Sequence, residues 1–200
     1  MKTSSQINNI DKGGNGGKIL KATGIVRRID ELGRVVIPKE IRRTLRIREG
    51  DPLEIYTERE GEVILKKYSM IGDMGRFAKQ YADSLGQITG NIILITDRDM
   101  VIAVSSGAKA ELVGKKISKH LEQLINERKC NIASADDSAY CMITDESEVF
   151  ASQVIYPIIS EGDIAGAVVF LTRDRGIRFG ETEKKLAAAA AIFLGKQMES

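Results

Sequence analysis

Arginine side chains are concentrated in one short part of this sequence. Between Lys21 and Gly50 there are nine Lys or Arg residues and only four Asp or Glu residues. Guanidinium groups are permanently charged, bind phosphate oxygens in a bidentate manner and hydrogen-bond to guanine in the major groove. A local excess of positive charge of this kind indicates a surface that binds nucleic acid.

Two strands and a short helix are predicted to position these arginines. Apolar residues alternate with other residues along Gly24–Asp30 and again along Arg34–Ile37, which is the period of β-strands. Gly33 lies between the two runs and suits a tight turn. Pro38 follows at the point where a helix is expected to begin, because its fixed φ fits the first helical turn.

The rest of this segment is predicted to be a hairpin. Leu53–Glu58 and Val63–Tyr68 have the pattern of strands, and a loop containing Gly61 joins them. The 48 residues from 21 to 68 include no Trp, Phe or Cys. So small a unit lacks the core to fold alone without a staple. We therefore expect two copies of this segment to interlock around one shared core.

Several motifs of residues 21–68 resemble one family of regulators. Gly24-Ile-Val-Arg27, Asp30-Glu-Leu-Gly-Arg-Val-Val-Ile-Pro38, Arg42-Arg-Thr-Leu45 and Leu65-Lys-Lys-Tyr68 are similar, in this order, to the SpoVT/AbrB family of swapped-hairpin transcription regulators. The resemblance implies that two chains exchange hairpins to form one barrel-like dimer, which agrees with the size of the segment. It also implies that the partner is double-stranded DNA.

The resemblance assigns the DNA contacts to four arginines, which are Arg27, Arg34, Arg42 and Arg43. Three further basic residues are expected to support phosphate contacts: Arg28, Lys39 and Arg46. The alternative for all of them is a solvated surface whose charges pair in part with neighbouring carboxylates. If four arginines per chain contact phosphates, the logarithm of the binding constant of a dimer should fall with the logarithm of salt concentration with a slope of about −7.

Composition divides the chain into three segments. Residues 1–20 include the tract Gly13-Gly-Asn-Gly-Gly17 and are expected to be a flexible extension. Residues 21–69 form the basic DNA-binding segment. Residues 70–200 carry a small negative net charge and all five phenylalanines, and they are expected to form a second domain.

The order of predicted elements in residues 70–200 is helix, hairpin, helix, hairpin, helix. The helices are expected near 72–88, after the N-cap Ser118 and over Glu181–Met198, and Pro157 is expected at a strand edge or a bulge. This order, together with the family resemblance, is similar to a GAF-like domain with an antiparallel sheet flanked by helices. The fold class is therefore α+β, with a swapped-hairpin β-barrel domain followed by a GAF-like domain.

The resemblance further implies that the GAF-like domain senses a small-molecule effector of unknown identity and pairs with a second copy. Such pairing gives a tetramer of two DNA-binding dimers, and the small residues Ala187–Ala191 with Phe193 are candidates for the contact. A polar stretch between helix and strand is expected to border the effector pocket. Its carboxylates are interpreted as loop charges, with a cation site as the alternative: Asp136, Asp137, Asp145, Glu146 and Glu148.

Other classes of function are disfavoured by the composition. No apolar run approaches the ~20 residues of a membrane span, and no secretory signal is recognised, so a cytoplasmic protein is expected. Cys130, Cys141 and the single His120 form no zinc-binding or catalytic motif, so neither a cofactor nor enzymatic activity is expected. Two alternatives remain: an antitoxin, because related hairpin modules occur in toxin–antitoxin pairs, and a cysteine-dependent GAF-type redox enzyme.

Overall fold

The computed structural model describes residues 23–58, 61–106 and 110–199. The expected extension 1–20 lies outside the described residues. Within the described ranges the chain forms a small N-terminal part, called the head below, and a larger part built on a five-stranded sheet. No helix in those ranges is both long and apolar enough to cross a bilayer.

The head consists of one helix and a two-stranded hairpin. Helix α1 covers Lys39–Leu45, strand β1 covers Leu53–Thr57 and strand β2 covers Val63–Lys67. The two strands pair antiparallel with Leu53 opposite Lys67. The predicted helix start after Pro38 and both predicted strands are confirmed to within one residue, because each is determined by local pattern and turn chemistry.

Residues 23–38 differ from the prediction, since they form no strand in the single chain. The segment is extended on both sides of a turn at residues 31–33. Two backbone–backbone hydrogen bonds close this turn, from the N–H of Asp30 to the carbonyl of Arg34 and from the N–H of Gly33 to the carbonyl of Asp30, both 3.0 Å. A strand requires a neighbouring strand to accept and donate its ladder hydrogen bonds. A single copy of this head does not provide that neighbour.

Two helices replace the single helix predicted for residues 72–88. Helix α2 covers Met70–Asp73 and helix α3 covers Gly75–Thr89. Ser69 caps the first of them, since its Oγ accepts a hydrogen bond of 3.0 Å from the N–H of Gly72. Glycine is unfavourable inside a helix, and Gly72 and Gly75 flank the break between the two helices.

The sheet of the larger part has five strands, which are β3 at Ile92–Asp97, β4 at Val101–Val104, β5 at Asn131–Ser134, β6 at Ser152–Ser160 and β7 at Asp163–Thr172. Their order in the sheet is β4-β3-β7-β6-β5, and every neighbouring pair is antiparallel. The short strand β5 was not predicted from the sequence.

Pro157 lies in the half of β6 that has only one neighbour. Strand β5 pairs with β6 only as far as Ile155, whereas Pro157 is opposite Ala167 of β7 on the other side. A register irregularity follows between Ile158 and Ile159. The prediction of an edge position or a bulge is therefore confirmed, because proline cannot donate the hydrogen bond that a second neighbour would accept.

Helices cover both faces of this sheet. Helices α3 and α5 (Glu181–Gln197) cover one face, where Phe170 and Ile93 pack with Ala187 and Leu194. Helix α4 (Lys119–Asn126) and the loops after it cover the other face. The second core is filled by large, fully buried side chains, including Leu121, Ile125, Ile143, Phe150 and Leu171.

Candidate nucleic-acid interface

A turn of five residues positions Arg34. Asp30 Oδ1 accepts hydrogen bonds from the N–H groups of Leu32 (3.0 Å) and Arg34 (2.8 Å), and Asp30 Oδ2 lies 2.7 Å from Nε of Arg34. Gly33 has φ +77°, which the turn requires. Hydrogen bonds from the backbone N–H and then from the side chain of Arg34 lower the pKa of the Asp30 carboxyl. The guanidinium is thus held at one edge, while 70% of the Arg34 side chain stays exposed.

Helix α1, which follows this turn in the chain, carries Arg42 and Arg43. Pro38 precedes the helix, and Thr44 Oγ1 donates a 2.9 Å hydrogen bond to the carbonyl of Glu40. Arg42 and Arg43 are exposed, and no residue of the helix is buried. Four of the other predicted contact residues lie on the extended segment or the helix, and all four are exposed: Arg27, Arg28, Arg34 and Lys39.

Arg46 lies in a different environment. It caps helix α1 in the left-handed conformation, with φ 53°, and its side chain is 26% exposed. Its Nη1 lies 3.5 Å from Oε2 of Glu122, which belongs to helix α4 of the larger part. Arg46 therefore faces the other part of the chain in this structure, away from solvent.

Arg46 belongs to a cluster of charged residues that we call the domain junction. The head and the larger part contact each other through ion pairs here, and burial in the cluster is deepest at Asp51, whose side chain is 2% exposed. The members are Arg46, Arg48, Asp51 and Lys67 from the head, and Arg98, Asp99 and Glu122 from the larger part. Sequence reasoning missed this cluster, since its members are separated by up to 76 residues.

Apolar side chains cover much of the head surface in the single chain. Val26 is 86% exposed and Leu32 is 74% exposed. So many exposed apolar side chains in one small unit usually mark an interface. The large exposed apolar residues of the head are Ile25, Val26, Ile29, Leu32, Val35, Val36, Leu45, Ile55, Val63 and Leu65.

The two cysteines are poorly suited to nucleophilic chemistry. Burial raises the pKa of the Cys141 thiol to about 11, and burial also raises the pKa of Cys130, which is half-buried. His120 is exposed at the start of helix α4. Among the described residues, no group of three or more His, Cys, Asp or Glu side chains is arranged to hold a metal ion.

The predicted acidic stretch is occupied by local contacts at three of its residues. Asp137 Oδ2 accepts a 2.6 Å hydrogen bond from the N–H of Ser134, Glu146 pairs with Lys115 at 2.9 Å, and Glu148 pairs with Arg173 at 2.6 Å. An open cleft of about 360 Å³ lies at the ends of α3 and β7. Its lining includes Gly90, Asn91, Ser106, Thr172 and Arg173.

Comparison with known proteins identifies the family. A family described as "Stage V sporulation protein T C-terminal, transcription factor" matches residues 73–199. Stage V sporulation protein T of Bacillus subtilis (strain 168) is 52% identical over 180 residues, covering 90% of this chain and 99% of that protein. The chain belongs to the stage V sporulation protein T family. As a member of this family it is a DNA-binding transcription regulator.

Three further comparisons concern the separate parts of the chain. Transition state regulatory protein AbrB of Bacillus subtilis (strain 168) is 67% identical over 49 residues, which is 24% of this chain and 50% of AbrB. A family described as "Antidote-toxin recognition MazE, bacterial antitoxin" matches residues 26–73. The GAF domain of an Acinetobacter phosphoenolpyruvate-protein phosphotransferase superposes with a TM-score of 0.53 at 12% identity, covering 66% of this chain and 84% of that domain.

These findings confirm that the chain has the α+β fold class, with an AbrB-like head and a GAF fold in the larger part. The AbrB-like motifs were visible in the sequence because they are local and ordered. The GAF fold was inferred from the order of elements together with the family resemblance, and the antiparallel sheet with helices on both faces agrees with it.

Proposed function

We propose that the head binds duplex DNA as a dimer through Arg27, Arg34, Arg42 and Arg43, with Arg28 and Lys39 as supporting phosphate contacts. The single observation that carries this proposal is that all six side chains are exposed on a part of the chain rich in positive charge. A guanidinium at the surface pays little desolvation cost when it binds a phosphate, and each such contact releases condensed counterions. Arg46 is left out of this set because it faces Glu122.

Dimerisation of the head is supported by its uncovered apolar residues. Val26, Ile29 and Val36 are each more than two-thirds exposed in one chain, on a segment whose backbone lacks strand partners. A second head that pairs with residues 23–38 would cover these side chains and complete the ladder hydrogen bonds at the same time. Exchange of hairpins between two chains meets both requirements.

The division of the chain into residues 1–20, 21–69 and 70–200 belongs to the same proposal, with the last segment as a sensor and assembly domain. Assembly into a tetramer is supported by the outer surface of α3 and α5. There Phe193 is 40% exposed beside Phe77 and Tyr81, at ring-centroid distances of 6.1 and 5.1 Å, and Ile88 is 82% exposed. Pairing of these helices between two copies would cover this aromatic and aliphatic surface.

The regulatory role that we propose is control of sporulation genes in the cytoplasm, with a small-molecule effector bound by the GAF-like domain. The name of the relative that covers 90% of the chain supports the link to sporulation. The cleft beside Asn91 and Arg173 is a candidate position for the effector. We propose no enzymatic step, since the pKa values of both thiols are raised and a thiolate is the reactive form.

An antitoxin is the second candidate function, because the antitoxin family matches residues 26–73. Antitoxins of this class usually end in a short tail that folds on the toxin, whereas this chain continues into a folded domain. Affinity purification of the full chain from cells, followed by identification of the protein and DNA that are recovered with it, decides between the two functions. Recovery of a stoichiometric toxin-like partner supports the antitoxin, and recovery of operator DNA alone supports the regulator.

The DNA-binding proposal is tested with the double variant Arg42→Ala/Arg43→Ala of the full chain. Binding to operator fragments should fall by at least about a hundredfold at low salt, and the salt slope should become less steep by about 3.5, because a dimer loses four phosphate contacts. Arg175→Ala/Arg178→Ala removes two exposed arginines, three residues apart, from the other domain and serves as the matched control. Equal binding by both double variants would overturn the proposal. Genome-wide occupancy of the same variants extends the test to the cell.

A further inference from the structure

The domain junction combines complementary charge with incomplete hydrogen bonding. The head contributes three cations and one carboxylate, and the larger part contributes two carboxylates and one cation. Four junction atoms are nevertheless buried without a hydrogen-bond partner: Arg46 Nη1, Arg48 Nη1, Arg98 Nε and Asp99 Oδ1. They are four of the seven such side-chain atoms found among the described residues. A buried N–H without an acceptor is costly, so these guanidinium groups gain if another anion accepts from them.

Glu122 contacts both arginines that the head contributes to the domain junction, Arg46 and Arg48. Its Oε1 accepts a hydrogen bond from Nη2 of Arg48, and its Oε2 lies 3.5 Å from Nη1 of Arg46. The side chain of Glu122 is 24% exposed, so solvent reaches the edge of the cluster. One carboxylate from the GAF-like domain thus lies between two guanidinium groups, which are also strong ligands for phosphate.

Arg46 directly follows helix α1, which carries Arg42 and Arg43 of the proposed DNA-binding surface. It is the C-cap residue of that helix, in the left-handed conformation with φ 53°. Its backbone is held at the end of α1, because its N–H points to the carbonyls of Arg42 and Arg43, and its own carbonyl accepts a 3.0 Å hydrogen bond from Nζ of Lys67. Release of the Arg46 side chain therefore requires rotation of that side chain alone.

The carboxylate of Glu122 is attached to the core of the GAF-like domain. Helix α4 begins at the Ser118 cap, whose Oγ accepts a 3.0 Å hydrogen bond from the N–H of Leu121. Leu121 and Ile125 pack in the core between α4 and the sheet. Asp99, the second carboxylate facing Arg48, is tied to the same region, since its carbonyl accepts a 2.9 Å hydrogen bond from Ile117 N. A shift of α4 relative to the sheet would therefore move Glu122 away from the head.

We propose that Glu122 is an autoinhibitory residue that competes with DNA phosphates for Arg46 and Arg48. When Glu122 holds these side chains, the head contacts DNA without them, and when helix α4 shifts, the two guanidinium groups become additional phosphate ligands. The GAF-like domain thereby sets the number of phosphate contacts that the head makes. This inference rests on the proposed DNA-binding function of the head and adds its regulation.

The test compares Glu122→Gln with the wild-type full chain in DNA binding at several salt concentrations. Affinity at low salt should rise about threefold to tenfold, because a dimer gains two or more exposed charge contacts, and the salt slope should become steeper by about 2 to 4. The added substitution Arg46→Gln should remove most of the gain. Arg46→Gln in the wild-type background should change affinity less than twofold, since Arg46 is already held by Glu122.

The matched control is Glu127→Gln, which removes one negative charge immediately after the same helix, where Glu127 pairs with Lys129 at 3.0 Å. It should leave affinity and slope unchanged. If Glu122→Gln prevents folding, Glu122→Asp keeps the charge but draws the carboxylate back from Arg46 and Arg48, and it should also steepen the slope. An unchanged slope in the folded variant, or a gain that survives Arg46→Gln and equals that of Glu127→Gln, would overturn the inference. The Arg42→Ala/Arg43→Ala variant separates this outcome from failure of DNA binding by the head.

Discussion

Oδ1 of Asp51 in the head lies 2.7 Å from Nη1 of Arg98 in the GAF-like domain. The Asp51 side chain is 2% exposed. Its Oδ2 accepts a 2.9 Å hydrogen bond from the N–H of Arg48 and lies 3.2 Å from Nζ of Lys67. A carboxylate buried to this degree requires its charged partners, because desolvation of an unpaired ion is expensive. This contact therefore stabilises the docking of the two parts of the chain.

Removal of Arg98 should weaken that docking. Arg98→Ala leaves the buried carboxylate of Asp51 with one cation fewer, and the free energy of unfolding should fall by about 1–3 kcal/mol. Chemical denaturation of the full chain measures the loss. The control is Lys129→Ala, which breaks the ion pair between Lys129 (71% exposed) and Glu127 (38% exposed). It should lower the free energy of unfolding by less than about 0.5 kcal/mol. Equal stability of the two variants would contradict a structural role for Arg98.

Stability should depend on Asp51 at ordinary pH and not in acid. Burial alone would raise the pKa of this carboxyl, but hydrogen bonds from Arg48 and Lys67 and the charge of Arg98 outweigh burial and lower it. A group with a lowered pKa stabilises the fold fully above its unfolded value, about 3.9, and loses that contribution as pH falls through the folded value. The difference in unfolding free energy between wild type and Asp51→Asn should therefore persist from pH 7 to about pH 4 and shrink below it. A difference that grows in acid would contradict this assignment.

Dimerisation of the head should be sensitive to a charge at Val26. This side chain is 86% exposed in one chain, so Val26→Asp would be harmless to a monomer. In an exchanged dimer the carboxylate would be buried, so the variant should lose the dimeric mass of the head and its affinity for DNA. Light scattering and a DNA-binding assay measure the two effects. Ile177→Asp, at a position 44% exposed in the other domain, is the control that should retain both.

Two glycines should tolerate no side chain, because the backbone of another element lies against them. A Cβ added at Gly166 would lie 1.8 Å from the carbonyl oxygen of Thr96, and one added at Gly195 would lie 2.1 Å from that of Ile159. Gly166→Ala and Gly195→Ala should each lower the free energy of unfolding by about 2–4 kcal/mol. Gly180→Ala is the control, since no atom lies within 4 Å of its added Cβ and its φ is −142°.

Thiol labelling should distinguish the two cysteines in the native protein. Cys141 is fully buried with a pKa of about 11, so its thiolate is scarce and shielded from reagents at neutral pH. Cys130 is half-buried and should react first, although more slowly than a free thiol because burial raises its pKa. Mass spectrometry of time points, with and without denaturant, follows each site. Rapid native labelling of Cys141 would show that its surroundings open.

The sequence alone determined the features that depend on neighbouring residues. The helix start after Pro38, the Ser118 cap and the edge position of Pro157 are each decided by the chemistry of a few adjacent positions. Strand β5, Asn131–Ser134, escaped detection because its four residues mix polar and apolar types and show no clear alternation.

Tertiary structure alone decided the partners of the charged side chains. The sequence showed that Arg46 is basic and follows the predicted helix after Pro38. Only the folded chain placed it against Glu122, 76 positions away. It likewise joined Asp51 to Arg98 across 47 positions. Periodicity and turn chemistry act over a few residues, whereas an ion pair depends on how whole elements pack, so no local pattern could reveal the junction.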